Sequence, residues 1–417
     1  MIVQHTLPNG VRVVAEQIPY VRSVALGLWV GAGSRHESEE DNGISHFIEH
    51  MLFKGTRKRT ARQLAEAFDE IGGQVNAFTS KEMTCYYAKV LDQHFPIALD
   101  ILADMFFEST FAEGEIAKEQ KVIVEEIRMV EDTPDDLIHD LLSSVALKNH
   151  PLGYPILGSE SNVRSFDRGR LLSYRDRYYR PDNLVIALAG HLPDDFMSLV
   201  ESYFASFTSE QPVEVKQTPS FSHEVITRQK QTEQTHLCLG LPGVSLADER
   251  IYPFILLNNI LGGNMSSRLF QEIREERGLA YSVYSYHSAY RDCGLFAVYA
   301  GTAHGQEEEV TDLILRILED VRENGVTESE LKKAKEQMKG SMMLGLESTS
   351  NRMSRLGKNE LLLGRHLTLD EMVARVEDIT LEDVRTIARE IFSQPLSMAL
   401  ISPSGNIPAS YGRDRLV

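Results

Sequence analysis

Two histidines and a glutamate near the N-terminus have the types and the spacing of a metal site. His46, Glu49 and His50 form the pattern His-x-x-Glu-His inside the segment GISHFIEHMLF. If this segment is helical, the four-residue spacing places both imidazoles on one face, where they can bind one cation. Glu49 is too close to His50 in sequence for an ideal third ligand, but it can accept a proton from a metal-bound water. The pattern therefore predicts a metal centre that activates water.

A third ligand is expected, because catalytic zinc sites usually carry three protein ligands. The segment 113–130 has no proline and a helical composition, with an apolar stripe formed by Ile116, Ile123, Ile127 and Val130. Glu119 and Glu126 share that stripe. A buried carboxylate costs several kcal/mol unless it is paired or binds a metal. Two explanations are open: a metal shared with His46 and His50, or a buried ion pair with an arginine from elsewhere.

These residues resemble the M16 zinc peptidases, the family of the mitochondrial processing peptidase, insulin-degrading enzyme and pitrilysin. The likeness is carried by His-x-x-Glu-His, the inverzincin pattern, followed at this separation by VIVEEI. It is nearest in kind to the two-domain, processing-peptidase-like bacterial members. It extends over nearly the whole chain, through LPNGV at 7–11, GGQVNAFT at 72–79, YRPDN at 179–183, and Arg274 and Tyr281.

The resemblance implies a role for each residue of the metal site. One zinc ion per chain is expected to be bound by His46, His50 and Glu126. Glu49 is expected to act as the catalytic base, and Glu119 is expected to support the site seven residues before the third ligand. Because first-row transition metals compete for such ligands, affinity alone does not select zinc.

A second set of residues is implied to bind the peptide. Asn76, Ala77 and Phe78 are expected on an edge strand, where an extended peptide can add through main-chain hydrogen bonds. From the sequence alone, an ordinary interior hairpin strand is the alternative. Phe53 is expected to contact an apolar or aromatic residue just after the cleaved bond.

The remaining implied residues act on the scissile bond and on specificity. Arg274 and Tyr281, seven residues apart, are expected to donate hydrogen bonds to the substrate carbonyl and the developing oxyanion. Thr133 is predicted to cap a helix that begins with a proline. Asp136 and Asp140, one turn apart on this helix, are expected to select a basic side chain near the cleavage site.

The two halves of the chain contain pairs of similar segments, which indicate a distant duplication. EIAKEQ at 115–120 returns as ELKKAKEQ at 330–337, and the strand-like LVIALA at 184–189 has a counterpart in LSMALI at 396–401. We predict a mixed α+β (α/β) fold of two homologous modules. Each is expected to be a largely antiparallel sheet with helices packed on one side, and the two to close like a clamshell. The predicted domains are 1–212, catalytic and zinc-binding, and 213–417, which lacks the metal motif and encloses substrate; their join lies in 206–224.

Composition limits the remaining possibilities. The chain has 417 residues, 42% of them hydrophobic, and a formal net charge of −18, which argues against nucleic-acid partners. No apolar run is long enough for a membrane span, and no signal or transit peptide is visible. The three cysteines form no disulfide framework. Gly262 and Gly263 lack a following Gly-Lys-Ser/Thr, which excludes a nucleotide loop. A cytoplasmic location without membrane partners is predicted.

The sequence as a whole predicts a zinc-dependent endopeptidase that hydrolyses oligopeptides or unfolded segments and favours a basic residue near the cleavage site. The resemblance adds the expectation of a homodimer. Two alternatives remain: a non-catalytic peptide-binding or structural subunit of the same fold, and a metal-stabilised module that clamps peptides without cutting them. The intact Glu49 argues against both.

Overall fold

The computed structural model describes residues 2–209 and 218–412, which contain both strands and helices. The strands are β1 Ile2–Thr6, β2 Arg12–Gln17, β3 Ser23–Val30, β4 Gln74–Thr79, β5 Thr84–Leu91, β6 Leu184–Gly190, β7 Val225–Gln229, β8 Thr235–Gly243, β9 Ala280–Ala289, β10 Gly294–Thr302 and β11 Ser397–Ser402. The helices are α1 Ile44–Met51, α2 Ala61–Glu70, α3 Phe95–Glu108, α4 Glu113–Asp132, α5 Pro134–Ala146, α6 Glu160–Ser165, α7 Arg168–Tyr178, α8 Phe196–Phe204, α9 Ile251–Gly262, α10 Glu307–Asn324, α11 Glu328–Gly345, α12 Thr349–Leu362, α13 Leu369–Glu377 and α14 Leu381–Phe392. A π-helical turn spans Phe270–Glu275.

The chain divides into two compact units. Unit 1 comprises Met1–Arg128, Tyr154–Lys216 and Leu344–His366, and unit 2 comprises Met129–Gly153, Gln217–Met343 and Leu367–Val417. The chain therefore passes from one unit to the other several times. The predicted boundary between residues 212 and 213 lies outside the described residues.

Each unit is built on one mixed sheet, and the two sheets have the same order of strands apart from β1, an extra edge strand in unit 1. In unit 1 the order is β1-β2-β6-β3-β5-β4, and in unit 2 it is β7-β11-β8-β10-β9. One pair in each sheet is parallel, β2 with β6 and β7 with β11, and the other pairs are antiparallel. The prediction of an α+β fold with two related, largely antiparallel modules is confirmed.

In unit 1 most helices cover one face of the sheet, and one further helix covers the other. Alternate residues of β3, such as Leu26 and Leu28, share a core with α1, α3 and α4. Trp29 points to the opposite face, where its indole Nε1 donates to Met353 Sδ of α12 at 3.3 Å. A Cβ at Gly357 of α12 would lie 2.2 Å from Trp29 Nε1, so only glycine permits this close approach. Burial on both faces explains why β3 and β6 are almost continuously apolar.

Unit 2 is covered in the same way, but by a helix from the other half of the sequence. Residues of α9, α10 and α14 pack with Leu239 and Phe296 on one face of the sheet. On the other face, Leu142 and its neighbours in α5 pack with Cys238 and Ala297. Thus α5, from the N-terminal half, belongs to unit 2, while α12, from the C-terminal half, belongs to unit 1. The two covering helices are exchanged between the halves of the sequence.

Candidate metal centre

The helix that carries the His-x-x-Glu-His pattern, α1, begins at a tightly constrained turn. Gly43 precedes it with φ 100°, and a Cβ there would lie 2.6 Å from the Leu157 carbonyl oxygen. The carboxylate of Glu37 accepts hydrogen bonds from the backbone N–H groups of Gly43 and Ser45, each at 2.9 Å. Glu37 is buried, and this burial raises the pKa of its carboxyl group. The buried acceptor caps otherwise unpaired N–H groups at the helix start and so fixes the orientation of α1.

Three predicted ligands from α1 and α4 converge. His46 Nε2 and His50 Nε2 lie 3.7 and 3.8 Å from the same oxygen of Glu126. In a tetrahedral zinc site with bonds of about 2.0–2.2 Å, ligand atoms are about 3.3–3.5 Å apart. Within the described residues, His46, His50 and Glu126 are the three potential metal ligands whose ligand atoms lie close enough together to hold one ion. The donor set of two imidazoles and one carboxylate fits zinc.

Glu119 forms a second layer behind His50. Its Oε2 is 3.0 Å from His50 Nδ1, and its Oε1 is 2.7 Å from Lys54 Nζ. Burial acts to raise the pKa of Glu119, but the hydrogen bonds from His50 and Lys54 outweigh burial and lower it. A carboxylate on the second nitrogen of a ligand histidine orients the ring and strengthens it as a ligand. The cation that pairs with the buried Glu119 is thus the half-buried Lys54 rather than an arginine.

The contact of Lys54 with Glu119 was not predicted, although the sequence spacing indicates that Lys54 lies near His50. Lys54 follows His50 by four residues, the spacing that brings side chains together on a helix. α1 ends at Met51, and the chain continues through turn residues to Lys54. Lys54 therefore lies beyond the regular helix, where helical periodicity does not reliably predict which side chains meet.

His46 is held in the neutral form that a metal ligand requires. Its residue exposure is 7%, and burial, followed by repulsion from His50, lowers its pKa to about 3. Metal ligands must be deprotonated at the coordinating atom. His46 is therefore ready to coordinate a cation across the neutral pH range.

The predicted base, Glu49, accepts a hydrogen bond that sequence analysis did not foresee. Its Oε2 is 2.5 Å from the hydroxyl oxygen of Thr79, the last residue of β4. Burial raises the pKa of Glu49, and the Thr79 hydrogen bond opposes this shift. A carboxylate with a raised pKa is a stronger base than one in water, which suits proton abstraction near neutral pH.

A mainly apolar cavity of about 400 Å³ adjoins the base. Glu49, His50 and Lys54 contribute polar groups, and Phe53 contributes a ring. The rest of the lining includes Leu64, Phe68, Val75, Asn76 and Met105. Phe53 thus lies beside Glu49 and His50 in a mainly apolar cavity, and its contact with substrate stays a prediction.

The strand with Asn76, Ala77 and Phe78 is an edge strand, as predicted. β4 pairs with β5 on one side and ends the sheet on the other. Asn76 and Phe78 are exposed, and the Phe78 ring packs edge-on against Trp29 at 5.6 Å between centroids. Within the described part of unit 1, the outer edge of β4 is available for another strand.

The residues expected to complete the site lie in unit 2. The Arg274 guanidinium is 4.7 Å from the centre of the Tyr281 ring and 4.6 Å from that of Phe270. Tyr281 is 76% exposed at the start of the edge strand β9. Arg274 and Tyr281 therefore lie next to each other in unit 2, and their role at the scissile bond stays a prediction.

The two predicted selectivity residues, Asp136 and Asp140, lie on α5. Asp136 is exposed and lines a cavity of about 1090 Å³ within unit 2, together with Asp135, His139 and Tyr281. Asp140 is half-buried and does not line this cavity.

The capping prediction at Thr133 needs correction: Thr133 is the residue before α5, but its hydroxyl donates to the Met129 carbonyl and makes no capping bond. The α5 start is supported by Pro134 and by acids in the first turn.

Comparison with known families and proteins gives a consistent result. Residues 12–160 match the family "Insulinase (Peptidase family M16)", and residues 165–338 match "Peptidase M16 inactive domain". The uncharacterized zinc protease YmxG of Bacillus subtilis is 56% identical over 409 residues, which cover 98% of this chain and 100% of that protein. An uncharacterized zinc protease of Streptomyces coelicolor is 42% identical over 98% of this chain and 91% of its own length.

Solved structures show the same fold. A protease from Helicobacter pylori is similar with a TM-score of 0.91 and 21% identity, covering 97% of this chain and 99% of that one. A Pseudomonas fluorescens structure described as a peptidase M16 inactive domain gives a TM-score of 0.90 and 21% identity, with 98% of each chain covered. None of the described helices combines the length and apolar character needed to cross a lipid bilayer.

Proposed function

The chain belongs to peptidase family M16, and we propose that it is a zinc-dependent endopeptidase acting on oligopeptides or unfolded polypeptide segments. The observation that carries the proposal is the convergence of His46, His50 and Glu126, with the half-buried Glu49 one residue from His50 on the same helix. The names of the two relatives, both called zinc proteases, support it.

His46, His50 and Glu126 would hold one zinc ion per chain. The chemistry supplied there by bound zinc would be a lowered pKa of a coordinated water and polarisation of the substrate carbonyl. Glu49 would accept the proton that the water loses and deliver it to the nitrogen of the leaving amine. The raised pKa of Glu49 suits both transfers, because the carboxyl group must accept a proton and then release it.

The substrate would bind as an extended strand. Main-chain groups of Asn76, Ala77 and Phe78 at the open edge of β4 can pair with a peptide backbone with little dependence on its sequence. The cavity at Phe53 would accept an apolar or aromatic side chain just after the cleaved bond. Arg274 and Tyr281 would donate hydrogen bonds to the substrate carbonyl and the developing oxyanion.

A basic residue near the cleavage site would be selected by acids of unit 2. Asp136 is exposed at a cavity whose lining also includes Asp135, Glu233 and the ring of Tyr284. Carboxylates together with aromatic rings favour a guanidinium group. Asp140, one turn along α5, would add a second negative charge. A homodimer and a cytoplasmic location also belong to this proposal, both resting on the resemblance and the sequence.

Peptidase activity is tested with a library of fluorogenic peptides that contain arginine, with cleavage products identified by mass spectrometry. The purified protein is expected to contain about one zinc ion per chain, to lose activity after chelation and to regain it on addition of zinc. If metal-loaded protein cleaves none of these peptides, the non-catalytic peptide-binding subunit becomes the better explanation.

The selectivity is tested with matched peptides in which one arginine is replaced by citrulline, which has a similar shape without the charge. Wild type is expected to prefer the arginine peptide in kcat/KM, and the double variant Asp136→Ala/Asp140→Ala to lose most of this preference. An unchanged ratio in the double variant would refute the role of these acids without affecting the proposed hydrolysis.

A further inference from the structure

We infer that Thr79 is a positioning residue for Glu49, and that it links the orientation of the base to the strand on which the peptide binds. The inference rests on the proposed function, because it assigns Thr79 a role in the same hydrolysis. The observation behind it is the 2.5 Å contact between Thr79 Oγ1 and Glu49 Oε2, which joins the end of β4 to the middle of α1.

The direction of this hydrogen bond is fixed by its neighbours. Thr79 lies opposite Thr84 in the β4–β5 ladder, and their hydroxyl oxygens are 3.4 Å apart. Thr84 donates its hydroxyl hydrogen to the Ala32 carbonyl at 2.9 Å. The Thr84 hydrogen is therefore not available to Thr79. The Thr79 hydroxyl donates its own hydrogen to Glu49, the much nearer of the two oxygens at 2.5 Å. An ionised carboxylate can only accept, so the pair is complementary when Glu49 carries its charge.

Thr79 is well suited to hold a longer side chain in place. A threonine on a strand is stiff about χ1, so the position of its hydroxyl is well defined. Glu49 has more rotatable bonds and would otherwise sample several rotamers. Among the described residues, the hydrogen bond to the Glu49 carboxylate comes from Thr79. Precise placement of a catalytic group usually depends on such supporting contacts, since errors of about 1 Å reduce the rate strongly.

The position of Thr79 also connects two parts of the site. It follows Asn76, Ala77 and Phe78 directly on β4, the residues proposed to pair with the substrate backbone. A peptide that adds to this edge would restrain the strand and, with it, the hydroxyl that holds the base. Binding of an extended backbone would thus favour the reactive orientation of Glu49.

The test compares Thr79→Val, which keeps the branched shape and removes the hydroxyl, with Thr79→Ser, which keeps the hydroxyl. For Thr79→Val, kcat on a fluorogenic peptide is expected to fall by about 10- to 100-fold, the effect of a hydrogen bond to a charged group, while KM changes by less than about twofold. Thr79→Ser should recover most of kcat. Zinc content should equal that of wild type, because Thr79 contacts no proposed ligand. Ser80→Ala, which removes the next hydroxyl along the chain, is the matched control.

A second readout does not depend on catalysis. In a crystal structure of Thr79→Val, the Glu49 carboxylate is expected to leave its wild-type position or to occupy several rotamers, and in Thr79→Ser to return to it. An unmoved carboxylate, or a kcat of Thr79→Val equal to that of wild type, would overturn the inference. Absence of cleavage by metal-loaded wild type would instead refute the proposed function, and the carboxylate position would still decide whether Thr79 orients Glu49.

Discussion

The two units share a strand order, yet within residues 2–209 and 218–412 the metal-binding group occurs in unit 1 alone. Aligning the shared Lys-Glu-Gln of α4 and α11 places Met343 where unit 1 has Glu126. It also pairs Glu119 with Glu336. The Glu119 side chain is 3% exposed and contacts His50, whereas the Glu336 side chain is 66% exposed and pairs with Lys339. The same amino acid is part of a site in one unit and a solvated surface charge in the other.

The helix that follows β3 in unit 1 and the helix that follows β8, the corresponding strand of unit 2, differ in the same way. In unit 1, β3 is followed by α1 with its two histidines and Glu49. In unit 2, β8 is followed by α9, whose sequence IYPFILLNNILG contains no histidine or acid. Most of its apolar residues pack into the core of unit 2. The duplicated scaffold therefore does not by itself make a metal centre; a few side chains at defined positions decide whether one forms.

The largest expected difference between the units is at the paired positions Glu126 and Met343. Glu126→Gln removes a charged ligand, so zinc should be lost and peptide hydrolysis should fall by at least about 10³-fold. Met343→Gln changes the corresponding residue of α11, which is 47% exposed, and should leave both unchanged. Zinc analysis and kcat/KM on the same preparations check this. Zinc retained at full occupancy in Glu126→Gln would show that the third ligand is another residue.

The exchanged helices provide the next test, which measures stability rather than activity. Leu142 of α5 and Leu356 of α12 are both fully buried. Truncation of either to alanine should reduce the free energy of unfolding by about 2–5 kcal/mol, because each leaves a cavity. Denaturant unfolding of the zinc-free protein measures the loss. Because α5 packs on the sheet of unit 2, Leu142→Ala should destabilise unit 2 although it lies in the N-terminal half of the sequence. Hydrogen exchange should therefore increase in β8 and β11 first. Increased exchange confined to β3 and β6 would contradict this assignment of α5.

A smaller effect is expected at the paired glutamates. Glu119→Gln removes the charge behind His50 and should weaken zinc binding by about 10- to 100-fold, as for other outer partners of ligand histidines. Glu336→Gln changes an exposed surface charge and should leave zinc affinity as it is. Competition with a chromophoric chelator measures both. Equal affinities in the two variants would mean that Glu119 does not support the metal centre.

The smallest expected effect is the pH dependence of stability contributed by His46. Its folded pKa of about 3 lies below the unfolded value of about 6.5, so the unfolded chain binds more protons between these pH values. The zinc-free protein should therefore lose about 1.4 kcal/mol of stability from this group for each pH unit below about 6.5. His139 of unit 2 also has a pKa lowered by burial and contributes in the same direction. Urea unfolding of wild type and His46→Gln between pH 7 and 5 should show a weaker dependence in the variant; identical slopes would contradict it.

The sequence alone predicted the parts of the fold that local patterns determine. The four-residue spacing placed His46 and His50 together, and their rings are 4.6 Å apart. Helical periodicity separated the buried Glu119 from the exposed Glu125 on α4. The apolar runs predicted at 184–189 and 396–401 correspond to β6 and β11. Each of these depends on residues close together in the chain.

The parts that were not predicted depend on contacts between distant residues. The apolar face of α5 indicates burial, but it does not specify which of two similar sheets it covers. The contact of Thr79 with Glu49 joins residues thirty positions apart, and no periodicity connects a strand end to a helix. The capping prediction at Thr133 failed because its hydroxyl has a competing acceptor in the Met129 carbonyl of the preceding helix.

The variant Glu49→Gln, assayed for zinc content and peptide hydrolysis in the same preparation, tests whether Glu49 is the catalytic base. The amide keeps the size of the side chain and can no longer accept the proton, while His46, His50 and Glu126 remain. We expect full zinc occupancy and a loss of peptide hydrolysis of at least about 10³-fold. Hydrolysis at the wild-type rate by the zinc-loaded variant would show that proton transfer does not depend on Glu49.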